Sequence, residues 1–188
     1  GFTIVEAGGS TSVNESGTTD TFTVVLTAQP TSDVVLTVTS GDTGEATVSP
    51  ATLTFSSANW NSPQTVTVTG VNDLLADGNQ VTTLTVAVDD ATSSNEFDPV
   101  ADQTVSATTV DNDTAGFTIV ESGGTTSVNE SGTTDTFTVV LTAQPASDVV
   151  LTVTSGDTGE ATVSPATLTF TSANWNSPQT VTVTGVND

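Results

Sequence analysis

Carboxylates are the only charged side chains in this protein, so its chemistry must be built on acidic oxygen atoms. Of its 188 residues, 22 are Asp or Glu, none is Lys, Arg, His or Cys, and the formal net charge is −22. The nucleophile pairs Ser-His, Ser-Lys and Cys-His therefore cannot be built. Ordinary zinc, haem and iron–sulfur sites are excluded for the same reason. Nucleic acid is excluded as a partner because no side chain can neutralise its phosphates.

Two catalytic uses of carboxylates are set aside. Asp42-Thr43-Gly44 and Asp157-Thr158-Gly159 match the Asp-Thr-Gly of aspartic proteases, in which two carboxylates share a proton. The two tripeptides occupy identical places in two sequence repeats, about one domain length apart. A glycosidase pair needs a sugar cleft, and the chain has no Tyr, His or Arg to line one. We predict that the protein is not an enzyme.

An internal repeat organises the chain. Residues 116–188 repeat residues 1–73 with an offset of 115, and only four of the 73 aligned pairs differ. A 115-residue unit has the usual length of one domain. We predict one complete domain over residues 1–115 and a second, incomplete domain over residues 116–188 that lacks the last two strands. The chain is then expected to be part of a longer array, in which each unit contacts its neighbours.

Alternating apolar and polar residues predict β-strands. Phe22, Val24 and Leu26 share one face of a strand, and threonines occupy the other face. The same alternation recurs around residues 34–38, 53–55, 66–68, 84–88 and 105–107. Seven short strands with one apolar face each predict an all-β fold, an Ig-like seven-stranded antiparallel β-sandwich repeated in tandem.

The topology of such a sandwich gathers acidic residues at one end. Each antiparallel connection reverses the chain, so every second loop lies at the same end, and the last strand finishes there. Carboxylates that gather without a basic partner repel one another. Ca²⁺ takes about six to eight oxygen ligands and suits such loops better than Mg²⁺, which demands a strict octahedron. The alternative is a solvated acidic surface. The loops at this end contain Glu15, Asp20, Asp42, Glu45, Asp73, Asp77, Asp111 and Asp113.

Five short motifs follow one another along the 115-residue unit. They are Val13-Asn14-Glu15-Ser16-Gly17, Leu53-Thr54-Phe55, the stretch 64–73, Asp77-Gly78-Asn79 and Val110-Asp111-Asn112-Asp113. In residue type and spacing they resemble the Calx-beta domain, especially its relatives in the repeat arrays of giant bacterial surface adhesins. These include the Calx-beta-like and cadherin-like extender domains of RTX-type adhesins. The resemblance implies a seven-stranded sandwich with calcium in the loops at one end and at the domain junction.

Ten acidic residues are the candidate calcium ligands. Calx-beta domains have an acidic pair where this chain has Asp77-Gly78-Asn79-Gln80, so we expect fewer or more weakly held ions. The resemblance implies ligands at Glu15, Asp73, Asp77, Asp111 and Asp113, with Asp42 and Glu45 behind them, and the second repeat contributes Glu130, Asp157 and Asp188.

These observations predict a structural module. We expect a calcium-stiffened extender, or stalk, of a secreted bacterial surface adhesin or extracellular fibre, with a role in cell adhesion and biofilm formation. Its partners would be neighbouring repeats of the same chain or fibre. Direct membrane insertion is not expected, because no apolar run approaches the ~18 residues of a membrane helix. The alternative function is a module that binds surface glycans, which would need an exposed aromatic platform.

Overall fold

The structure is a computed structural model that describes residues 1–187, and the predicted ligand Asp188 lies outside the described residues. The chain divides into two compact units. The first consists of Gly1–Asp73 and Gly78–Asn112, and the second of Leu74–Asp77 with the residues from 113 onward. No helix in the described range is long and apolar enough to cross a bilayer. The predicted all-β fold is confirmed.

Two sheets sandwich the core of the first unit. The four-stranded sheet is antiparallel, with the order β1-β3-β7-β5, and the five-stranded sheet has the order β2-β9-β8-β4-β6. The strands are β1 (Phe2–Glu6), β2 (Thr11–Asn14), β3 (Thr19–Leu26), β4 (Val34–Ser40), β5 (Ala46–Ser49), β6 (Thr52–Phe55), β7 (Gln64–Gly70), β8 (Gln80–Val88) and β9 (Gln103–Val110).

Alternate residues of these strands form the core. Phe22 and Val24 of β3, Leu36 of β4 and Leu84 and Val86 of β8 are all fully buried. Each such side chain contributes about 1.5–3 kcal/mol of burial free energy. The threonines between them point outward, where a β-branched side chain suits the pleated surface.

The first unit has nine strands rather than the predicted seven, and they are not all antiparallel. β2 and β5 are the additional strands, each four residues long. β2 runs parallel to β9, with Thr11 opposite Ala107. A four-residue strand holds too few alternating residues to stand out in a sequence. Its existence depends on a neighbouring strand that offers an edge.

The second unit repeats only part of this architecture. Its four-stranded sheet has the order β10-β11-β15-β13, and β12 pairs with β14 in a two-stranded sheet. Through residue 187, the unit has no described strand that corresponds to β2, β8 or β9. Its strands are β10 (Phe117–Glu121), β11 (Thr134–Leu141), β12 (Val149–Thr152), β13 (Ala161–Ser164), β14 (Thr167–Phe170) and β15 (Gln179–Gly185).

The core of the second unit is smaller. Its buried members include Val139, Leu168, Phe170 and Val181. The segment Leu74–Asp77 also belongs to this unit. The Gln144 N–H donates to the Leu74 carbonyl at 2.7 Å, and the Ala76 N–H donates to the Gln144 carbonyl at 3.3 Å.

Candidate metal centre

Strand pairing brings several acidic residues to one end of the first sandwich. β2 and β9 finish together, with Asn14 opposite Val110. β5 begins where β7 finishes, with Ala46 opposite Gly70. The loops just beyond these strand ends contain Glu15, Glu45, Asp73 and Asp111.

A tight turn after β2 positions Glu15. The Gly17 N–H donates to the Asn14 carbonyl at 3.1 Å, and the Ser16 N–H donates to Asn14 Oδ1 at 3.0 Å. Gly17 has a φ of 82°, in the left-handed region that favours glycine. The sequence Asn-Glu-Ser-Gly therefore forms a compact loop that directs the glutamate back toward the sandwich.

The Glu15 side chain is buried, with 2% of its surface exposed. Its backbone N–H donates to the Val110 carbonyl at 3.2 Å, and its Oε2 accepts the backbone N–H of Asn112 at 3.1 Å. A buried carboxylate is costly unless another group compensates its charge. No lysine, arginine or histidine exists in this chain to do so.

Glu15 belongs to a group of three carboxylates. Glu15, Asp73 and Asp113 each offer one oxygen, and these oxygens all lie within 4.8 Å of one another. Asp73 and Asp113 are half-buried. The group offers only oxygen donors and carries a high negative charge, which is the donor chemistry that Ca²⁺ prefers. The residues present therefore fit a hard divalent cation.

Close backbone packing holds the turn against β7. A Cβ atom placed on Gly70 would lie 2.1 Å from the Asn14 carbonyl oxygen, so any other residue there would force the backbone of the turn to shift. The Asn14 N–H also donates to Thr18 Oγ1 at 2.8 Å. Gly70 is thus the residue that lets the Glu15 turn approach the end of β7.

Other predicted ligands of the first unit lie at the same end but outside the group of three. Asp111 Oδ2 accepts the Gly78 N–H at 2.7 Å. The Glu45 backbone carbonyl accepts the Val71 N–H at 2.9 Å and Thr109 Oγ1–H at 3.1 Å. Asp42 is exposed, and its Oδ1 accepts the Gly44 N–H in a local turn.

Within residues 1–187, the predicted ligands assigned to the second unit are exposed, with the exception of Asp113. Glu130 lines an open cavity of about 460 Å³ together with Glu160. Asp157 accepts the Gly159 N–H at 2.9 Å, as Asp42 does with Gly44. Asp77 is also exposed.

Two asparagines join the site without having been predicted as ligands. Asn112 donates its backbone N–H to Glu15, and its Nδ2 donates to Asn72 Oδ1 at 3.1 Å. Both lie next to predicted ligands, in Val71-Asn72-Asp73 and Asp111-Asn112-Asp113. Their place inside these two acidic motifs was the signal available in the sequence.

Hydrogen bonds also perturb the pKa of two carboxylates outside this site. Hydrogen bonds from Ser94 and Thr31 lower the pKa of Glu96 to about 2. Glu96 Oε1 accepts the Thr31 N–H at 2.9 Å and the Thr31 hydroxyl at 2.8 Å. In the second unit, the backbone N–H groups of Ser127 and Thr136 lower the pKa of Asp135. Both carboxylates serve as local anchors for loops.

Comparison with known proteins gives similarity in fold only. No protein-family model matches the chain, and no curated protein sequence matches it significantly. Calcium-binding domain CBD12 of CALX1.1 has a TM-score of 0.42 and 14% identity, over 99% of this chain and 76% of that one. CBD12 from CALX1.2 has a TM-score of 0.40 and 12% identity, over 98% and 75%.

A third similar structure is the CsuC–CsuE chaperone-tip adhesion subunit complex of Acinetobacter baumannii. It has a TM-score of 0.43 and 11% identity, over 99% of this chain and 88% of that one. With TM-scores below 0.5, none of these likenesses carries an argument about function. The resemblance to Calx-beta domains rests on the motifs, and the case for a cation rests on the carboxylate group.

Proposed function

We propose that this protein is a non-enzymatic, calcium-binding β-sandwich module that serves as an extender in a secreted bacterial surface adhesin or fibre. The observation that carries the calcium proposal is the buried Glu15 beside Asp73 and Asp113. Bound calcium would supply the positive charge that no side chain of this protein can supply. The metal would thereby stabilise the loops at this end of the first sandwich.

The extender role rests on the repeat and on the position of the acidic residues. Asp111 and Asp113 lie on the segment that leads from β9 to β10, followed by Thr114-Ala115-Gly116. A segment of this composition is flexible unless something fixes it. Calcium held by these carboxylates would restrict it, which is the property required of a stalk.

The alternative function, binding of surface glycans, has less support. Carbohydrate recognition needs aromatic faces open to solvent. Among the residues that the structure describes, both tryptophans are half-buried against the two cores, and only Phe117 of the phenylalanines is exposed. The counterpart of Phe117 in the first repeat is Phe2, which belongs to the apolar core there. Binding of the chain to a glycan array would favour this alternative.

Calorimetric titration tests the calcium proposal. The 188-residue chain, freed of metal by chelation, should release or absorb heat on addition of Ca²⁺ with a defined stoichiometry. Its thermal midpoint should rise in millimolar Ca²⁺ far more than in Na⁺ of equal ionic strength. A ligand in about 100-fold excess over Kd stabilises the folded state by about 2.7 kcal/mol. Equal shifts in the two salts would leave only ionic screening and would refute a specific site.

Small-angle scattering tests the extender role. We expect the two-unit chain to have a larger maximum dimension, and less variation in shape, with Ca²⁺ than with chelator. Replacement of both Asp111 and Asp113 by Asn should remove the difference. If the wild-type profiles coincide in the two conditions while calorimetry shows calcium binding, the metal stabilises a loop and the extender role is wrong.

A further inference from the structure

The connection between β8 and β9, residues 89–102, contains an Asp-Pro pair. Of the seven prolines in the sequence, Pro99 follows Asp98, whereas the other six follow Gln or Ser. The peptide bond before a proline is a tertiary amide, and its nitrogen leaves more readily than that of an ordinary peptide. The aspartate places a carboxyl group beside the carbonyl carbon of the same bond. This pair therefore brings together the groups needed to break the backbone.

A turn presents this bond to solvent. The Val100 N–H donates to the Phe97 carbonyl at 2.9 Å, which makes Asp98 and Pro99 the two central residues of the turn. Both of them are exposed. Within residues 1–187, no hydrogen bond engages the carboxyl group of Asp98. This carboxyl group is therefore free to attack, and water has access to the bond.

Both sides of the turn are anchored to the first unit. Phe97 is 3% exposed and belongs to the core, and Val100 packs against that core. Just before the turn, Glu96 Oε1 accepts the Thr31 N–H at 2.9 Å. Hydrogen bonds from Ser94 and Thr31 lower the pKa of Glu96 to about 2, so this anchor remains in mildly acidic solution.

Strand pairing holds the chain on both sides of the turn in one sheet. β9 lies between β8 and β2, and seven residue pairs join β9 to β8. Val105 and Ala107 of β9 are buried in the core. A break after residue 98 would therefore leave β9 in its place, although the chain through β8 and the chain from β9 onward would no longer be covalently joined.

We propose that the Asp98–Pro99 bond is a self-scission site, at which the folded first unit cleaves in mild acid while β9 keeps the two pieces together. The reaction is independent of calcium and of the extender role. The chain has no lysine, arginine or histidine that could pair with the Asp98 carboxyl group. The other carboxylates of this connection and of the neighbouring β3–β4 connection are Asp33, Asp89, Asp90, Glu96 and Asp102.

The Asp98 carboxyl group, in its acid form, supplies both the nucleophile and the proton. One of its oxygens attacks the backbone carbonyl carbon of Asp98, and the bond from that carbon to the Pro99 nitrogen breaks. The carboxyl proton ends on that nitrogen, and Asp98 becomes a cyclic anhydride. Water then opens the anhydride, which leaves two carboxyl groups on Asp98. The reaction consumes one water and no oxidant, and it is favoured because the attacking group is held beside its target.

Intact-mass spectrometry tests the proposal. The 188-residue chain is held in chelator at about pH 4, where an aspartic acid side chain is partly protonated, and is then returned to neutral pH. We expect fragments 1–98 and 99–188, whose masses together exceed that of the chain by one water. Size-exclusion chromatography at neutral pH should show one species, which separates into two in denaturant.

Three variants at exposed positions assign the chemistry. Asp98→Asn removes the acid, and Pro99→Ala makes the bond an ordinary peptide, so each should slow scission at least about tenfold. Asp102→Asn is the matched control, because it changes an exposed aspartate of the same connection, and it should cleave at the wild-type rate. Hydrogen exchange of β8 and β9 amides checks that every variant is folded.

Four results would overturn the proposal. They are the absence of fragments, scission of Asp98→Asn at the wild-type rate, scission only after the chain is unfolded by denaturant at the same pH, and separation of the fragments at neutral pH without denaturant. None of these results bears on calcium binding, which is measured separately by calorimetry.

Discussion

Phe2 and Phe117 are equivalent residues in two stretches of nearly identical sequence, yet they differ greatly in exposure. Phe2 is 3% exposed and Phe117 is 52% exposed. The first unit covers its phenylalanine with a second sheet that includes β8 and β9, and the described part of the second unit has neither strand. Both residues begin equivalent five-residue strands, β1 and β10, so the local sequence selects this strand in each unit. How deeply their side chains are buried depends on strands that are distant in sequence.

The acidic residues show the same contrast. Glu15 is buried because β2 ends beside β9 and because Asn112 donates to its carboxylate. Glu130 follows the same residues, Val128 and Asn129, but no strand forms there and the side chain is exposed. The candidate metal centre thus depends on strand β9 as much as on the acidic residues themselves.

The largest expected difference between the units concerns the phenylalanine pair. Phe2→Ala should destabilise the first unit by about 3–5 kcal/mol, because it leaves a cavity in a packed core. Phe117→Ala should cost the second unit about 1 kcal/mol or less, since half of the side chain is already in water. Hydrogen exchange of the slowest amides in β3 and in β11 measures the free energy of unfolding of the first and the second unit separately. Equal losses would mean that Phe117 is covered in solution.

The glutamate pair sharpens the comparison at the metal centre. We expect calcium in about 100-fold excess over Kd to stabilise the first unit by about 2.7 kcal/mol. Glu15→Gln should remove most of that gain, because it withdraws a buried charged ligand. Glu130→Gln is the matched control and should retain the gain in full. The stability of the first unit is measured by hydrogen exchange of the β3 amides, once in the presence of calcium and once in the presence of chelator. Loss of the effect in both variants would argue against a site built on Glu15.

The equivalent residues Gly70 and Gly185 test how strongly the pairing of β2 with β9 fixes the turn that follows β2. A Cβ on Gly70 or Gly185 would lie 2.1 Å from the carbonyl oxygen of Asn14 or Asn129, respectively. Asn14 is held in β2, so Gly70→Ala should cost about 1–3 kcal/mol through overpacking. Asn129 lies outside any strand and can move, so Gly185→Ala should cost less. Hydrogen exchange of the amides in β7 and β15, measured over a series of denaturant concentrations, gives the free-energy cost of each substitution. A larger cost at Gly185 would contradict this explanation.

The smallest expected effect involves Thr31, which is replaced by Ala146 in the second unit. Thr31→Ala removes the hydroxyl that donates to Glu96, so the pKa of Glu96 should rise from about 2 toward 4.5. Because the folded pKa lies below the unfolded value, the stabilisation is fully present above about pH 4.5. It is lost as the pH falls toward 2. Carboxyl-carbon NMR shifts measure the pKa directly, and an unchanged value would show that the backbone N–H and Ser94 suffice.

Much of this fold could be predicted from particular residues. The alternation in Phe22-Thr23-Val24 predicted a strand with one buried face, and the structure has β3 there with both apolar residues buried. β2 and β5 could not be predicted in this way, because four residues form a strand only when a neighbouring edge pairs with them. The parallel pairing of β2 with β9 is likewise a property of the assembled sheet.

The sequence by itself determined the charge, the repeat and the class of chemistry. A chain without lysine, arginine, histidine or cysteine has only oxygen ligands of ordinary kinds for a metal, and its only charged side-chain ligands are carboxylates, whatever its fold. Only the tertiary structure brought Glu15, Asp73 and Asp113 together, out of the nine candidate ligands that lie within residues 1–187, and it left Asp42, Asp157 and Glu130 exposed. The physical reason is that carboxylates converge only where strand ends meet. Which strand ends meet is decided by pairing between residues as distant as Asn14 and Val110.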